Sequence, residues 1–285
     1  MRTAESPRVS EKTQKIIVTL LMIILIVIML FPYYLLVNNS FKTLRALVLN
    51  SLALANPPTL NNYFVVTENT MYFRRILNNF IVLVPSLAFI VMFGAMAGYI
   101  VARRPSRITR FFYIYIILGI AIPTYTLLYS HVRLLAALGL TNNYLGLILI
   151  YVGMGMSMST FMFNGFFGGA PKELEDSAKI DGASTYRTFF TIYFPLSKPT
   201  AATVILLQSL SIWSDEIRST ILMDKKEMRT LMPSLYEFYG AMVSLGIRWE
   251  QIYAYCVLCV IPMVILFFLV NRYLITGITE GALKG

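Results

Sequence analysis

The residues able to do covalent chemistry are few. The sequence holds one histidine, His131, and two cysteines, Cys256 and Cys259. A lone histidine beside Arg133 has no second ligand or nucleophile near it in sequence, so neither a metal site nor a catalytic dyad is indicated. The cysteines form C-x-x-C, but inside an apolar run between Tyr255 and Val260. Redox or metal work needs an accessible thiolate, and on one face of a lipid-embedded helix these two are packing residues. No G-x-x-x-x-G-K-[ST] run occurs, so nucleotide is not cradled in that manner. No cofactor and no metal are expected in this chain, and no enzymatic activity.

Polar residues instead gather in two places. The first is 171–199, PKELEDSAKIDGASTYRTFFTIYFPLSKP. A charge at a bilayer centre costs about 2.5 to 3.5 kcal/mol, so Glu173, Glu175, Asp176 and Asp181 together would cost on the order of 10 kcal/mol in lipid. The stretch therefore lies in water or against a protein. Pro171 suits a helix start, the acids of the first turns favour the helix dipole, and Asp181-Gly182 predicts a stop near Ile180. A second helix is expected from Ser184 to Tyr193, broken by Pro195 and Pro199. Its Tyr186, Phe189, Phe190 and Tyr193 recur at helical spacing, an aromatic stripe that requires a partner.

These stretches are positioned by a membrane bundle. The chain has 285 residues, 57% hydrophobic and 13% charged, with mean hydropathy +0.68; that departs far from globular composition and predicts an all-α polytopic membrane protein, one domain over 1–285. Apolar runs at about 16–37, 79–102, 111–130, 144–163, 200–221 and 252–270 are each of a length to cross a hydrocarbon core of about 30 Å. Residues 38–78 read as a loop with one short interfacial helix. Gly94 and Gly98 in the second run have the G-x-x-x-G spacing that lets membrane helices approach closely. The short loop with Arg103, Arg104, Arg107 and Arg110 carries no acid, which makes it cytoplasmic. Six spans follow, with both termini inside, 171–199 inside and 222–251 outside. The net charge of +10 is then orientation, not nucleic-acid binding.

The second polar group is Gln208, Ser209, Ser211, Trp213, Ser214 and Asp215, in the outer half of the fifth run. Polar residues within spans are candidates for function. Two readings stand side by side. In one, Gln208, Ser211, Trp213, Ser214 and Asp215 line a passage, with Trp213 stacking on a sugar face. In the other, Asp215 and Arg218 form an i, i+3 pair and Trp213 is an interfacial aromatic. The outer segment carries Leu235, Tyr236 and Tyr239, unusually apolar for an unpartnered loop.

Residues 171–199 resemble the EAA loop of ABC importer permeases. The match is Asp176-Ser177-Ala178, then Gly182, then Ile192 and Pro195. Trp213-Ser214 is similar to the family's Trp-Asn pair, and Gly277-Ile-Thr-Glu-Gly281-Ala282-Leu283-Lys284-Gly285 to its G-L-x-x-G-A-V-K-G tail. Departures are Asp for Glu at 176, Ser for Ala at 177 and Ser for Asn at 214. The resemblance is to the carbohydrate-uptake branch, of the smaller maltose-permease type. It implies that the first helix of the loop enters a cleft of a cytoplasmic ATPase, with Glu173, Asp176, Ala178, Asp181 and Gly182 as coupling residues. The tail with Gly281 and Lys284 would reach between two ATPase subunits, which bind ATP and Mg. The implied partners are a second permease subunit, two ATPase subunits and an extracytoplasmic binding protein meeting Leu235, Tyr236 and Tyr239, in a bacterial cytoplasmic membrane. An ion-coupled carrier or channel is the alternative class; it requires ionisable groups near the midplane, and the runs show none. A glycerol-phosphate or polyol cargo is the alternative within the same class.

Overall fold

Every regular element in the computed structural model, which describes residues 11–282, is helical; among those residues there is no strand. Helix α1 (Glu11–Ser40) covers the first apolar run and overshoots it at both ends. Its apolar side chains from Ile16 to Phe31 are exposed. In hydrocarbon a helix must satisfy its own backbone but its side chains need no protein partner. The next stretch holds two short helices where one was expected, α2 (Leu44–Leu49) and α3 (Asn61–Asn69). Between them and α1, buried Lys42 donates to the carbonyls of Asn50 and Ser51, each at 3.0 Å. Burial pushes its ammonium below the ordinary lysine value. These elements form a compact unit that also includes Met242–Leu258.

A second unit comprises Thr67–Ala241 and the chain from Cys259 onward. In order come α4 (Tyr72–Arg103), α5 (Arg107–Ala121), α6 (Leu128–Ala137), α7 (Tyr144–Gly169), α8 (Glu173–Ile180), α9 (Thr185–Thr188), α10 (Phe194–Leu196), α11 (Lys198–Trp213) and α12 (Ile217–Leu222). Helices α13 (Leu231–Leu245) and α14 (Trp249–Ala282) complete the chain. By length and composition α1, α4, α7 and α14 can each cross a membrane, and there are up to six spans if two bent pairs each count as one.

The α4–α7 pair is the centre of this unit. A side-chain carbon on Gly94 would lie 2.0 Å from Ser159 Oγ, and one on Gly98 would lie 2.7 Å from the Asn164 nitrogen. The two helices therefore meet backbone to backbone along the G-x-x-x-G face, as lipid-embedded packing favours. Ser159 seals the contact by donating to the Ile90 carbonyl at 2.9 Å. On the other flank, Gly119 of α5 packs against the Ser157 side chain of α7.

Two expected spans are not straight helices. The third ends at Ala121, and the chain resumes through a tight turn (Thr124–Leu127) into α6 with the axis turned by 104°. Pro123 supplies no N–H and forces Ile122 into an extended conformation (φ −81°, ψ 122°). The fifth ends at Trp213, short of the expected 221. There Asp215 accepts from the Arg218 N–H at 3.1 Å and starts α12.

Candidate functional site

At the Arg103 end of α4, the chain builds a polar helix onto the end of an apolar bundle. Helix α8 opens with Glu173, Glu175 and Asp176 in its first turn, favourably placed for the dipole. The three acids do not share a role. Glu175 is 6% exposed and turns inward. It accepts from Arg104 Nη1 and lies 3.3 Å from Lys179 Nζ, while Asp176 lies 3.7 Å from the same ammonium. Burial alone would raise the Glu175 pKa; hydrogen bonds and charge from Arg104 and Lys179 outweigh it and hold the carboxyl below its ordinary value.

Beside this pair, Arg103 is buried, donates Nη2 to the Ala170 carbonyl, and sits 4.9 Å over the Tyr193 ring. Tyr193 in turn donates to the Pro171 carbonyl at 3.4 Å. Below lies an aromatic cluster in which Tyr99 meets Phe167, Phe189 and Tyr193 with ring centroids 5.7, 5.2 and 5.1 Å away. Ala178 faces this packed side. Helix α8 then closes as a left-handed cap: Gly182 has φ +69°, its N–H reaches the Lys179 carbonyl at 3.0 Å, and the Ala183 N–H reaches Ala178 at 2.9 Å. What remains outward is Glu173, Asp176, Asp181, Gly182 and Ile180, the last 87% exposed.

The aromatic stripe of the second helix divides differently from expectation. Phe189 and Tyr193 pack inward, but Tyr186 is 70% exposed and Phe190 is exposed as well. After α9 the helix widens into a π turn (Phe189–Tyr193), with the Phe194 N–H bonded to the Phe189 carbonyl five residues back. The widened turn keeps Phe189 and Tyr193 on one face and swings Phe190 off it. It also lets Pro195 sit inside the helical run, as part of α10, where a break was expected.

The opposite end of α4 is held by amide hydrogen bonds and by an ion pair from α4 itself, buried Arg75 lying 3.6 Å from Glu237, which also pairs with Arg229. Asn78, fully buried, donates to the carbonyls of Glu227 and Arg229 at 2.7 and 2.9 Å and accepts from Tyr144 at 2.8 Å. Asn79 accepts from the Leu231 N–H at 2.6 Å. These amides fasten the segment leading into α13, where Leu235 is half-buried while Tyr236 and Tyr239 stay exposed. Of the expected passage residues, Ser211 and Ser214 are exposed and Gln208 is half-buried. Trp213 is only 3% exposed, donates Nε1–H to the Cys259 carbonyl at 3.0 Å, and meets Phe80 edge-on at 6.0 Å. Its ring is committed to packing between helices.

The i, i+3 pair forms, and it is buried: Arg218 Nη1 lies 2.7 Å from Asp215 Oδ2 with both side chains inaccessible. Arg218 also donates Nη2 to the Thr124 carbonyl at 2.9 Å and lies over Tyr125 at 5.6 Å. It thus holds the turn that Pro123 creates. The sequence showed no buried ionisable group near a midplane; this pair lies just past the end of α11. Glu175, Arg103, Arg104, Asn78 and Arg218 were not singled out as site residues by their sequence. In the sequence Arg103 and Arg104 act only as orientation signals. Of the expected tail contacts, Gly281 lies in the last turns of α14 and Lys284 lies outside the described residues.

Residues 90–280 match the family model described as "Binding-protein-dependent transport system inner membrane component". A probable starch degradation products transport system permease protein of Thermoanaerobacterium thermosulfurigenes is 30% identical over 275 residues, 95% of this chain and 97% of that one. A melibiose/raffinose/stachyose import permease protein of Bacillus subtilis is 28% identical over 270 residues, 94% and 96% of the two chains. Among solved structures, a bacterial ABC transporter involved in import of the acidic polysaccharide alginate superposes with a TM-score of 0.75 at 21% identity, covering 94% of this chain and 99% of that one. At that identity the likeness is one of fold.

Proposed function

Since the chain belongs to the family of binding-protein-dependent transport system inner membrane components, we propose that it is one permease subunit of an ATP-driven carbohydrate importer in a bacterial cytoplasmic membrane. A second permease subunit completes the passage, two separate ATPase subunits bind ATP and Mg, and an extracytoplasmic protein delivers the cargo. The observation that carries this reading is α8. It is a charged helix pinned to the end of an apolar bundle through Glu175, with Glu173, Asp176, Asp181 and Gly182 left outward.

Six spans with both termini cytoplasmic remain the proposed topology, the third bent at Pro123 and the fifth running from the Ser197 bend to Trp213. The basic loop at 103–110 supports that sidedness. Under this reading α8 meets the ATPase, while Ala178 sets its depth from behind and Gly281 and Lys284 belong to the tail contact. Gln208, Ser211 and Ser214 face the cargo route, with Trp213 and Asp215 as the packed frame that places them. Tyr236 and Tyr239, beside Leu235, meet the binding protein. The cargo is a sugar or oligosaccharide, a reading supported by what the relatives are named for carrying.

Gly182→Asp tests the coupling role. A side-chain carbon at Gly182 meets no atom, so strain comes only from the positive φ. The variant subunit is expected to insert and to assemble, while ATP-driven oligosaccharide uptake into vesicles reconstituted with the partner subunits is lost. Unchanged uptake would remove the coupling reading. Uptake by the wild-type chain alone, driven by an ion gradient, would replace the importer with a carrier.

A further inference from the structure

A cavity of about 240 Å³ opens beside α8, between it and the end of α4. Four cations line it, Arg103, Arg104, Lys172 and Lys179, against two carboxylates, Glu175 and Asp176. We propose that this cavity binds a phosphoryl group, with Arg103 and Lys172 as its main cationic contacts. The proposal goes beyond the transport reading and does not depend on the cargo.

Charge is the first argument. Glu175 already serves Arg104 and Lys179, and Asp176 lies against Lys179. Arg103 and Lys172 have no carboxylate among the described residues, so the cavity wall carries excess positive charge. Position is the second. Arg103 is 9% exposed and fixed by the Ala170 carbonyl and the Tyr193 ring, yet its Nε has no hydrogen-bond partner. A buried guanidinium with only a carbonyl and a ring for company carries an uncompensated desolvation cost. An anion at the cavity supplies the missing charge. Lys172, at the rim ahead of the first turn of α8, is exposed and free to close over it.

Geometry and size agree with a tetrahedral oxyanion. Arginine's fork and lysine's ammonium are the usual phosphate partners. At about 30 Å³ of liquid volume per water, the cavity has room for the anion and several waters. Arg103 is the last residue of a helix able to cross a membrane, which puts the cavity at head-group level, where basic pockets between helices hold anionic lipids. The phosphoryl group has two sources, a phospholipid head group or free phosphate.

The test uses the full-length protein purified in detergent, the variants Lys172→Gln and Arg103→Gln, and Lys226→Gln as a control cation at the other end. Native mass spectrometry reads retained phosphatidylglycerol against phosphatidylcholine. Thermal unfolding reads sodium phosphate against sodium chloride at matched ionic strength. With a lipid source, the wild type retains phosphatidylglycerol selectively, and Lys172→Gln lowers retention about fivefold, the equivalent of about 1 kcal/mol per basic side chain at a membrane surface. With free phosphate, lipid retention is unselective, but phosphate raises the wild-type Tm saturably and does not raise that of Lys172→Gln. Either result, with Lys226→Gln like the wild type, supports the site. If neither measurement separates the wild type from Lys172→Gln, the proposal is overturned; this holds even should Arg103→Gln fail to fold.

Discussion

The two ends of α4 are fastened by different balances of the same forces. At the Arg103 end, a single carboxylate on α8 is shared between Arg104 and Lys179, whose side chains are 40% and 54% exposed. Water and salt reach those partners, so the clamp is weak, tunable and reversible. At the Asn78 end, amides bond to backbone carbonyls and buried Arg75 pairs with Glu237, while Arg218 and a buried aspartate hold the Pro123 turn. There the cost of breaking a contact is the cost of stranding a polar group away from water.

The contrast makes predictions of graded size. The largest concerns Arg218→Met, which leaves Asp215 buried and unpaired and is expected to cost about 3 to 5 kcal/mol. Thermal unfolding of the purified protein, followed by dye reaction at Cys256 and Cys259, measures it. The double variant Asp215→Asn with Arg218→Met should recover part of the loss, because it strands no charge. A double variant no better than the single one would mean that the Thr124 contact, not the ion pair, holds that end.

Asn78→Ala comes next, at about 1 to 3 kcal/mol for leaving buried groups unpaired. Its signature is local: protease sensitivity should appear at Lys225, Lys226 and Arg229 while α8 keeps its wild-type protection. The smallest effect is expected for Glu175→Gln, about 1 kcal/mol or less because its partners are half in water. It should loosen α8 selectively, seen as faster tryptic cleavage after Lys179 and Arg187. Because the folded Glu175 carboxyl lies below its ordinary value of 4.5, its contribution is complete above that pH and disappears as pH falls through the lower folded value. High salt should mimic the variant at this end and leave the dry Asp215–Arg218 pair unchanged; equal salt sensitivity of the two ion pairs would erase the distinction.

Much of the fold was legible because its signals are local. Apolar runs gave the long helices, the Gly94–Gly98 spacing marked a close-packing face of α4 without naming α7 as its partner, and Asp181-Gly182 gave the left-handed cap of α8. What escaped depended on partners far along the chain or on small changes of pitch. Nothing in the sequence distinguishes Glu175 from Glu173 or Asp176, since the residue that draws it inward, Arg104, lies in a loop 71 positions away. Hydropathy runs smoothly across Pro123, so a turn of 104° was hidden in it. The π turn alters which aromatics share a face without altering their identity. Neither sequence reading of Trp213, sugar-stacking ring or interfacial aromatic, includes its acceptor, because the Cys259 carbonyl is a backbone atom that no residue type announces.

Helix α4 itself joins these two ends. Its 32 residues make a rod of about 48 Å at 1.5 Å per residue, with Asn78 near one tip and Arg103 at the other. Gly94 and Gly98 press it against α7 along the half nearer Arg103, whereas Pro85 removes a backbone bond in the half nearer Asn78. In mechanical terms it is a strut, backed by a neighbour over the half with the glycines and short of one backbone bond in the half with Pro85. If α8 couples as proposed, Pro85 is the place where a push along α4 meets the least resistance to bending.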